Sequence, residues 1–188
     1  MRMSREATAR SKARIVGAAA KMVRERGIDA TSVAEVMHAA GMTNGGFYRH
    51  FASKDEMIGM AIGAAFDDIA NRFDRRLRQK GAAAAVEAYV DEYLSDGHLQ
   101  HPDQGCPVAA VAADAGRGGG VFAAEFAAGA EKLIGRLAAG SGGSVTKPER
   151  SKAIRSMAML VGAVVVARAI GQGDLREEII AACKEHLR

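Results

Sequence analysis

Between Gly27 and Ser53 the chain is punctuated so densely that it has room for only two short helices, joined by a tight turn. The helix before them, from about Arg5 to Arg26, carries Ile15, Ala18, Ala19, Met22 and Val23 at helical spacing. It ends at Gly27, as a C-terminal glycine should end it. Thr31 or Ser32 then serves as an N-cap, with Glu35 three residues after Ser32 as a capping-box partner. Val33, Val36 and Met37 point inward from a helix that stops near Gly41. Met42 and Thr43 make the turn, and a second short helix over 43–51 puts Phe47 and Phe51 on one face, four residues apart. Two short helices about a glycine-containing turn form a helix-turn-helix, here about residues 32–51.

Beyond it the pattern stays helical. Ser53 and Glu56 form a capping box that opens a long helix with Met57, Met60, Ala61, Ala64, Ile69 and Phe73 on its apolar stripe, broken at Gly81. Residues 82–99 are expected as one helix, 98–107 as a polar loop, and 107–115 and 121–139 as two helices separated by the glycine run 116–120, a flexible linker. Residues 140–144 are a second such linker. A long apolar helix over 148–170 and a last one capped by Asp174 complete an all-α chain with no strand-period segment of useful length. Two cysteines, Cys106 and Cys183, make no disulfide scaffold. The N-terminus shows no signal-peptide pattern, and the apolar run between Arg155 and Arg168 holds 12 residues against the ~20 a bilayer needs. A cytoplasmic protein with no membrane partner is expected.

Charge divides the chain. Residues 1–60 hold ten Lys/Arg and six Asp/Glu, whereas residues 61–188 hold sixteen of each, so the whole net charge of +4 sits in the first third. A basic head on a neutral body suggests a polyanion-binding unit joined to one with another task.

Signs of catalysis are lacking. There is no nucleophile elbow, phosphate-binding loop or dinucleotide fingerprint, and no catalytic residue or cofactor is assigned. His98, His101, Asp103 and Cys106 are metal-ligating types close in sequence, but their spacing matches no familiar zinc pattern, and no metal is assigned to them.

The stretch from Thr31 to Glu56 resembles the DNA-binding head of the TetR family of transcriptional repressors. The matching features are Gly27, Thr31, Val33 to Val36, Ala40 to Thr43, Gly46 to Tyr48, His50, Phe51 and Ser53 to Asp55, with the sharpest signal in Tyr48, Phe51 and Lys54 at three-residue spacing. The resemblance covers about residues 10–60. A recognition helix offers its N-terminal side chains to base edges, and Thr43 and Asn44 stand there; Asn bonds adenine bidentately and the Thr methyl meets a thymine methyl. Gly45 and Gly46 allow close backbone approach. Tyr48 and Lys54 are expected on phosphates, Arg49 and His50 on phosphate or base, and by resemblance Thr31 on a phosphate.

For the body the resemblance is architectural. It implies dimerisation through the last two helices, for which Ile154, Leu160, Val164, Val165 and Ile170 are the candidate interface residues. An effector pocket is expected among the middle helices, lined by Tyr89, Tyr93, Cys106, Phe122, Phe126, Met157 and Val161. Zero net charge in the body favours a small, mainly apolar effector. The segment Gly105 to Ala110 looks like one seen in a TetR subgroup, some of whose relatives sense electrophiles or oxidants through a cysteine. A repressor switched through Cys106 is therefore the alternative. The expected organisation is a head over 1–52 and an effector-binding and dimerisation body over 53–188. It is a non-enzymatic homodimer that binds a palindromic double-stranded operator.

Overall fold

The computed structural model describes residues 5–140 and 145–187. The second expected linker lies, from Ser141 to Ser144, outside them. All regular structure among the described residues is helical. Helix α1 (Arg5–Arg26), α2 (Val33–Ala39) and a 3-10 helix (Asn44–Arg49) build the head; α3 (Lys54–Lys80), α4 (Ala82–Tyr93), α5 (Asp96–Gln100), α6 (Pro107–Gly118), α7 (Gly120–Ala139), α8 (Lys147–Ile170) and α9 (Asp174–Leu187) follow.

Helix α3 is the spine. Its N-terminal half buries Met57, Ile58 and Ala61, and its C-terminal half buries Phe66, Ile69 and Phe73. One continuous core runs along it, from Ile15, Val36 and Phe51 of the head to Leu133, Leu160 and Val164 of the body. The expected boundary at 52/53 falls at the Ser53 cap of this shared helix, and the core is unbroken across it. Helices α3 and α7 approach closely because Gly129 has no side chain: a Cβ there would stand 2.2 Å from the Phe66 ring.

In the body, three elements differ from expectation. The segment expected as one helix over 82–99 breaks after Tyr93. Ser95 accepts from the His98 N–H at 3.2 Å and donates to the Glu92 carbonyl at 2.7 Å, which ends α4 and starts α5. The loop after it contains a 3-10 helix, Pro102–Gln104. The glycine run 116–120 is no linker, since α6 continues to Gly118 and the chain turns only at Gly119 and Gly120, at φ of 59° and 50°.

Helix α8 starts from a full capping box between Thr146 and Glu149. Its most apolar 18-residue window has a mean hydropathy of 1.8, long and apolar enough by composition to cross a membrane, where the sequence run alone fell short. It packs against α7 and α9. Only 28% of that window is buried, however, and Ile154, Val165, Val166 and Ile170 remain exposed.

Candidate functional site

The head builds its outer face on a locked base. Ser32, rather than Thr31, caps α2: its hydroxyl accepts from the Glu35 N–H at 3.3 Å and donates to the Glu35 carboxylate at 2.6 Å. Gly41, at φ of 68°, makes the turn, and a Cβ there would crowd the Arg14 guanidinium at 2.9 Å. That guanidinium donates to the Ala40 carbonyl at 2.6 Å and ties the turn to α1. Phe47 and Phe51 are buried and stacked at 5.4 Å, with the Lys12 ammonium 4.8 Å above the Phe51 ring. Lys12 also pairs with Glu56 at 3.1 Å. Glu56 accepts from the Ala52 N–H, and these contacts hold its carboxyl below the usual range.

On this base Thr43, Asn44, Gly45, Tyr48 and Arg49 are exposed, and Tyr48 is 81% accessible. A phenol so exposed on a short, well-anchored element contributes little to the protein's own core. The element after the turn is a six-residue 3-10 helix, not the α-helix over 43–51 that the sequence suggests. Two adjacent glycines, each costing roughly 1 kcal/mol relative to Ala, and the short span explain the tighter winding. Thr43 caps it through backbone geometry alone, its hydroxyl making no cap hydrogen bond. Lys54 is half-buried at the first position of α3. His50 is half-buried, with Nδ1 enclosed and unpartnered. Thr31 is fully buried, and its hydroxyl donates to the Gly27 carbonyl at 2.8 Å. The side chain thus secures the end of α1, and reaching a phosphate would require leaving that bond.

The body gathers some of the expected pocket residues and disperses others. Tyr89 and Tyr93 lie 5.6 Å apart, ring to ring, and Tyr93 meets the His98 ring at 4.5 Å, tilted by 49°. With Ile69, Arg72, Arg76 and Glu92 they line a narrow recess of about 20 Å³ between α3 and α4. Phe126 instead packs edge-on against Phe66, and Phe122 covers Gly118. Met157 and Val161 pack on the core from α8. Larger concavities are open grooves, one of about 610 Å³ between residues 94–100 and α9.

Cys106 is 1% exposed, and burial pushes its thiol up from the ordinary range. Its neighbour is His98 rather than His101: the Cys106 N–H donates to His98 Nε2 at 3.0 Å, while Nδ1–H donates to the Tyr93 carbonyl at 2.7 Å. Both ring nitrogens are therefore engaged and the imidazole is neutral. Burial first, then the positive charges of Arg168 and Arg72, lower its pKa to about 4. Such a histidine has no lone pair left for a metal.

The inward arginines carry no signature in the sequence, Arg168 apart, which stands alone as a basic residue inside the apolar stretch of α8. Arg24, deep in α1, bonds the Ala20 and Gly105 carbonyls and Asp68. Arg168 donates to the carbonyls of His98 and Leu99 at 2.7 and 3.2 Å. Their partners lie up to 81 residues away, so no local pattern announces them. Among the candidate interface residues, Ile154, Val165 and Ile170 are exposed, but Leu160 and Val164 are buried within the chain and cannot reach a partner. They sit on the opposite side of α8, toward the core.

Residues 15–60 match the family model described as "Bacterial regulatory proteins, tetR family". The chain is 26% identical over 107 residues to the HTH-type transcriptional regulator YfiR of Bacillus subtilis (strain 168), a match over 57% of this chain and 52% of that one. It is 35% identical over 74 residues to the HTH-type transcriptional repressor KstR2 of Rhodococcus jostii, over 38% of this chain and 36% of that one. The matches thus span about half the length of these relatives or less. Among solved structures, the reduced form of E. coli NemR superposes with a TM-score of 0.77 at 17% identity, over 95% of each chain. A TetR-family regulator from Cytophaga hutchinsonii superposes with 0.79 at 15% identity, over 100% of this chain and 96% of that one. These likenesses show the fold; the head supplies the sequence evidence. The head, residues 15–60, is thus similar to that of the tetR family of bacterial regulatory proteins, and the whole chain shares the fold of solved tetR-family structures.

Proposed function

We propose that this protein is a transcriptional repressor that binds an approximately palindromic operator as a homodimer and is released by a small effector held in its body. The observation that carries the reading is the exposed row Thr43, Asn44, Tyr48 and Arg49 on a 3-10 helix anchored by Phe47 and Phe51. Asn44 and Thr43 suit base edges, and Tyr48, Arg49 and Lys54 suit phosphates. The head then runs over residues 1–52. Its relative KstR2 is named as a repressor, which supports the sign of regulation.

A second copy is the occupant that fits the uncovered apolar face of α8. Ile154, Val165, Val166 and Ile170 are exposed there, and Leu175 of α9 is 54% exposed, while no residue of α9 is fully buried. A two-fold pair of heads matches a two-fold operator. The alternative of a repressor switched through Cys106 finds no support in a thiol so buried and so weakly acidic.

The direct test is a reporter gene whose promoter overlaps a duplex that the purified protein selects from random DNA. Expression of the chain should lower output, and Tyr48→Ala should restore it. Raised output would make the protein an activator, and an unchanged output would contradict regulation through this head.

A further inference from the structure

The recess between α3 and α4 has an unbalanced chemistry. The Tyr93 hydroxyl and the Arg72 Nε are both buried and without a hydrogen-bond partner, and both residues line this one recess. Arg72 Nε is a donor only, whereas the Tyr93 hydroxyl, which lies against the Cys106 thiol, can donate or accept. The remaining polar wall, His98, has spent its lone pair on the Cys106 N–H. The recess therefore holds an unmet guanidinium donor beside a hydroxyl free to donate, and leaving such groups unpaired is unfavourable.

Charge at the mouth points the same way. Arg72 and Arg76 share a single carboxylate, Glu92, with Arg72 3.7 Å from it and Arg76 in direct contact. Asp68 is 3.8 Å from Arg72 but is already engaged by Arg24 at 3.3 Å. Arg72 otherwise donates to the Gln104 carbonyl. Burial, together with the neighbouring charges of Arg72 and Arg75, lowers the pKa of Arg76 below its ordinary value, the signature of guanidiniums crowded without enough anion. Ile69, Tyr89 and Tyr93 supply an apolar, aromatic wall behind them. Room for about 20 Å³ admits one water-sized group, with Glu92 among the residues that line it.

We propose that this recess is the effector's anion site: it takes the carboxylate of a small organic acid with a flat apolar body, which displaces Glu92 and accepts hydrogen bonds from Arg72 Nε and the Tyr93 hydroxyl. The proposal rests on the reading of the body as an effector domain and sharpens its ligand class from mainly apolar to an apolar acid. Glu92 is the internal stand-in for the ligand's carboxylate. A guanidinium and a phenol make a strong fork for such an anion, and charge-assisted bonds there discriminate acid from amide.

The chain lacks Trp and has three Tyr, Tyr48, Tyr89 and Tyr93, so two of its three intrinsic fluorophores line the recess. The test titrates DNA-free, full-length protein with benzoate and with benzamide at fixed ionic strength, reading tyrosine fluorescence and heat of binding. Benzoate should saturate, and benzamide should bind at least about tenfold more weakly, as loss of a charge-assisted hydrogen bond implies. Tyr93→Phe should weaken benzoate by about tenfold while leaving the thermal midpoint unchanged or raised, because the hydroxyl it removes is an unsatisfied one. Glu92→Gln should tighten benzoate several-fold by removing the competitor. Equal binding of acid and amide, wild-type affinity in a folded Tyr93→Phe, weaker binding in Glu92→Gln, or no saturable response to benzoate would each overturn the site. Operator binding by ligand-free protein is measured separately, so failure of the regulator reading and failure of the anion site are told apart.

Discussion

The Asp114 carboxylate of α6 accepts a hydrogen bond from the Ile28 backbone N–H at 3.0 Å, joining the body to the end of the first head helix. The same carboxylate pairs with Arg117 and lies against Gly27, where a Cβ would stand 2.7 Å from it. A second tether runs beside it, from Arg24 of α1 to the Gly105 carbonyl at 3.4 Å, just before α6. Helix α6 thus has its start beside Cys106 and His98 and its end against the head. That is the arrangement needed for a change in the body to move the head.

Asp114→Ala should leave the Ile28 N–H without its acceptor. Hydrogen exchange of the Ile28 amide should accelerate by roughly ten- to a hundredfold, as expected for an orphaned, partly buried donor costing about 1–3 kcal/mol. Amides of α3 and α7 should keep their protection. Equal acceleration everywhere would mean a general loss of stability, not a severed tether.

Tyr48→Ala and Lys54→Ala should weaken binding to all duplexes by similar factors, because phosphate contacts carry no sequence information. Lys54→Ala should also lower the slope of log affinity against log salt by about one. A shifted sequence preference with general affinity intact would refute the phosphate assignment.

Val165 is 45% exposed in the apolar seam of α8, whereas its neighbour Val164 is fully buried in the protomer. Val165→Glu should therefore give folded monomers with weakened affinity for a full operator, while Val164→Glu should unfold the chain by burying an unpaired charge. Light scattering and thermal melting on both variants check this. A Val165→Glu protein that remains dimeric would move the interface elsewhere.

His98 titrates with a folded pKa of about 4 against an ordinary 6.5. Its neutral form is the one the fold holds, so the unfolded chain binds the extra proton first. This contribution is full above pH 6.5 and is lost as pH falls, reaching about 3 kcal/mol near pH 4. Urea melts from pH 7 to 4 should show that loss in wild type and lack it in His98→Gln. An identical pH profile in the two would remove His98 as the acid-sensitive group.

Much of the head could be read from the chain because its signals are local. Gly27, Gly41 and the Ser32 and Ser53 caps act within a few residues of themselves, and each serine hydroxyl accepts from the N–H three residues on, although the Glu56 carboxylate takes the Ala52 N–H rather than that of Ser53. What escaped is what depends on distant partners. Arg72 and Arg76 sit on α3 in positions that sequence reads as a solvated face; Gln104 and Glu92, from elements that fold over them, turn them inward. Leu160 and Ile154 are equally apolar in sequence, and only the course of α7 against α8 decides which is covered. The short helix after the turn stands where the sequence puts it but is wound as a 3-10 helix, since Gly45 and Gly46 weaken an α-helix without revealing what replaces it.

Selection of purified protein against random duplex DNA tests the central claim most directly. Enrichment of an approximately two-fold symmetric site bound by two protomers is expected, with Asn44→Ala altering the preferred bases in both half-sites at a cost of roughly 1–3 kcal/mol at the affected pair. No enriched sequence, or an unchanged base profile in Asn44→Ala together with one protomer per duplex, would contradict it.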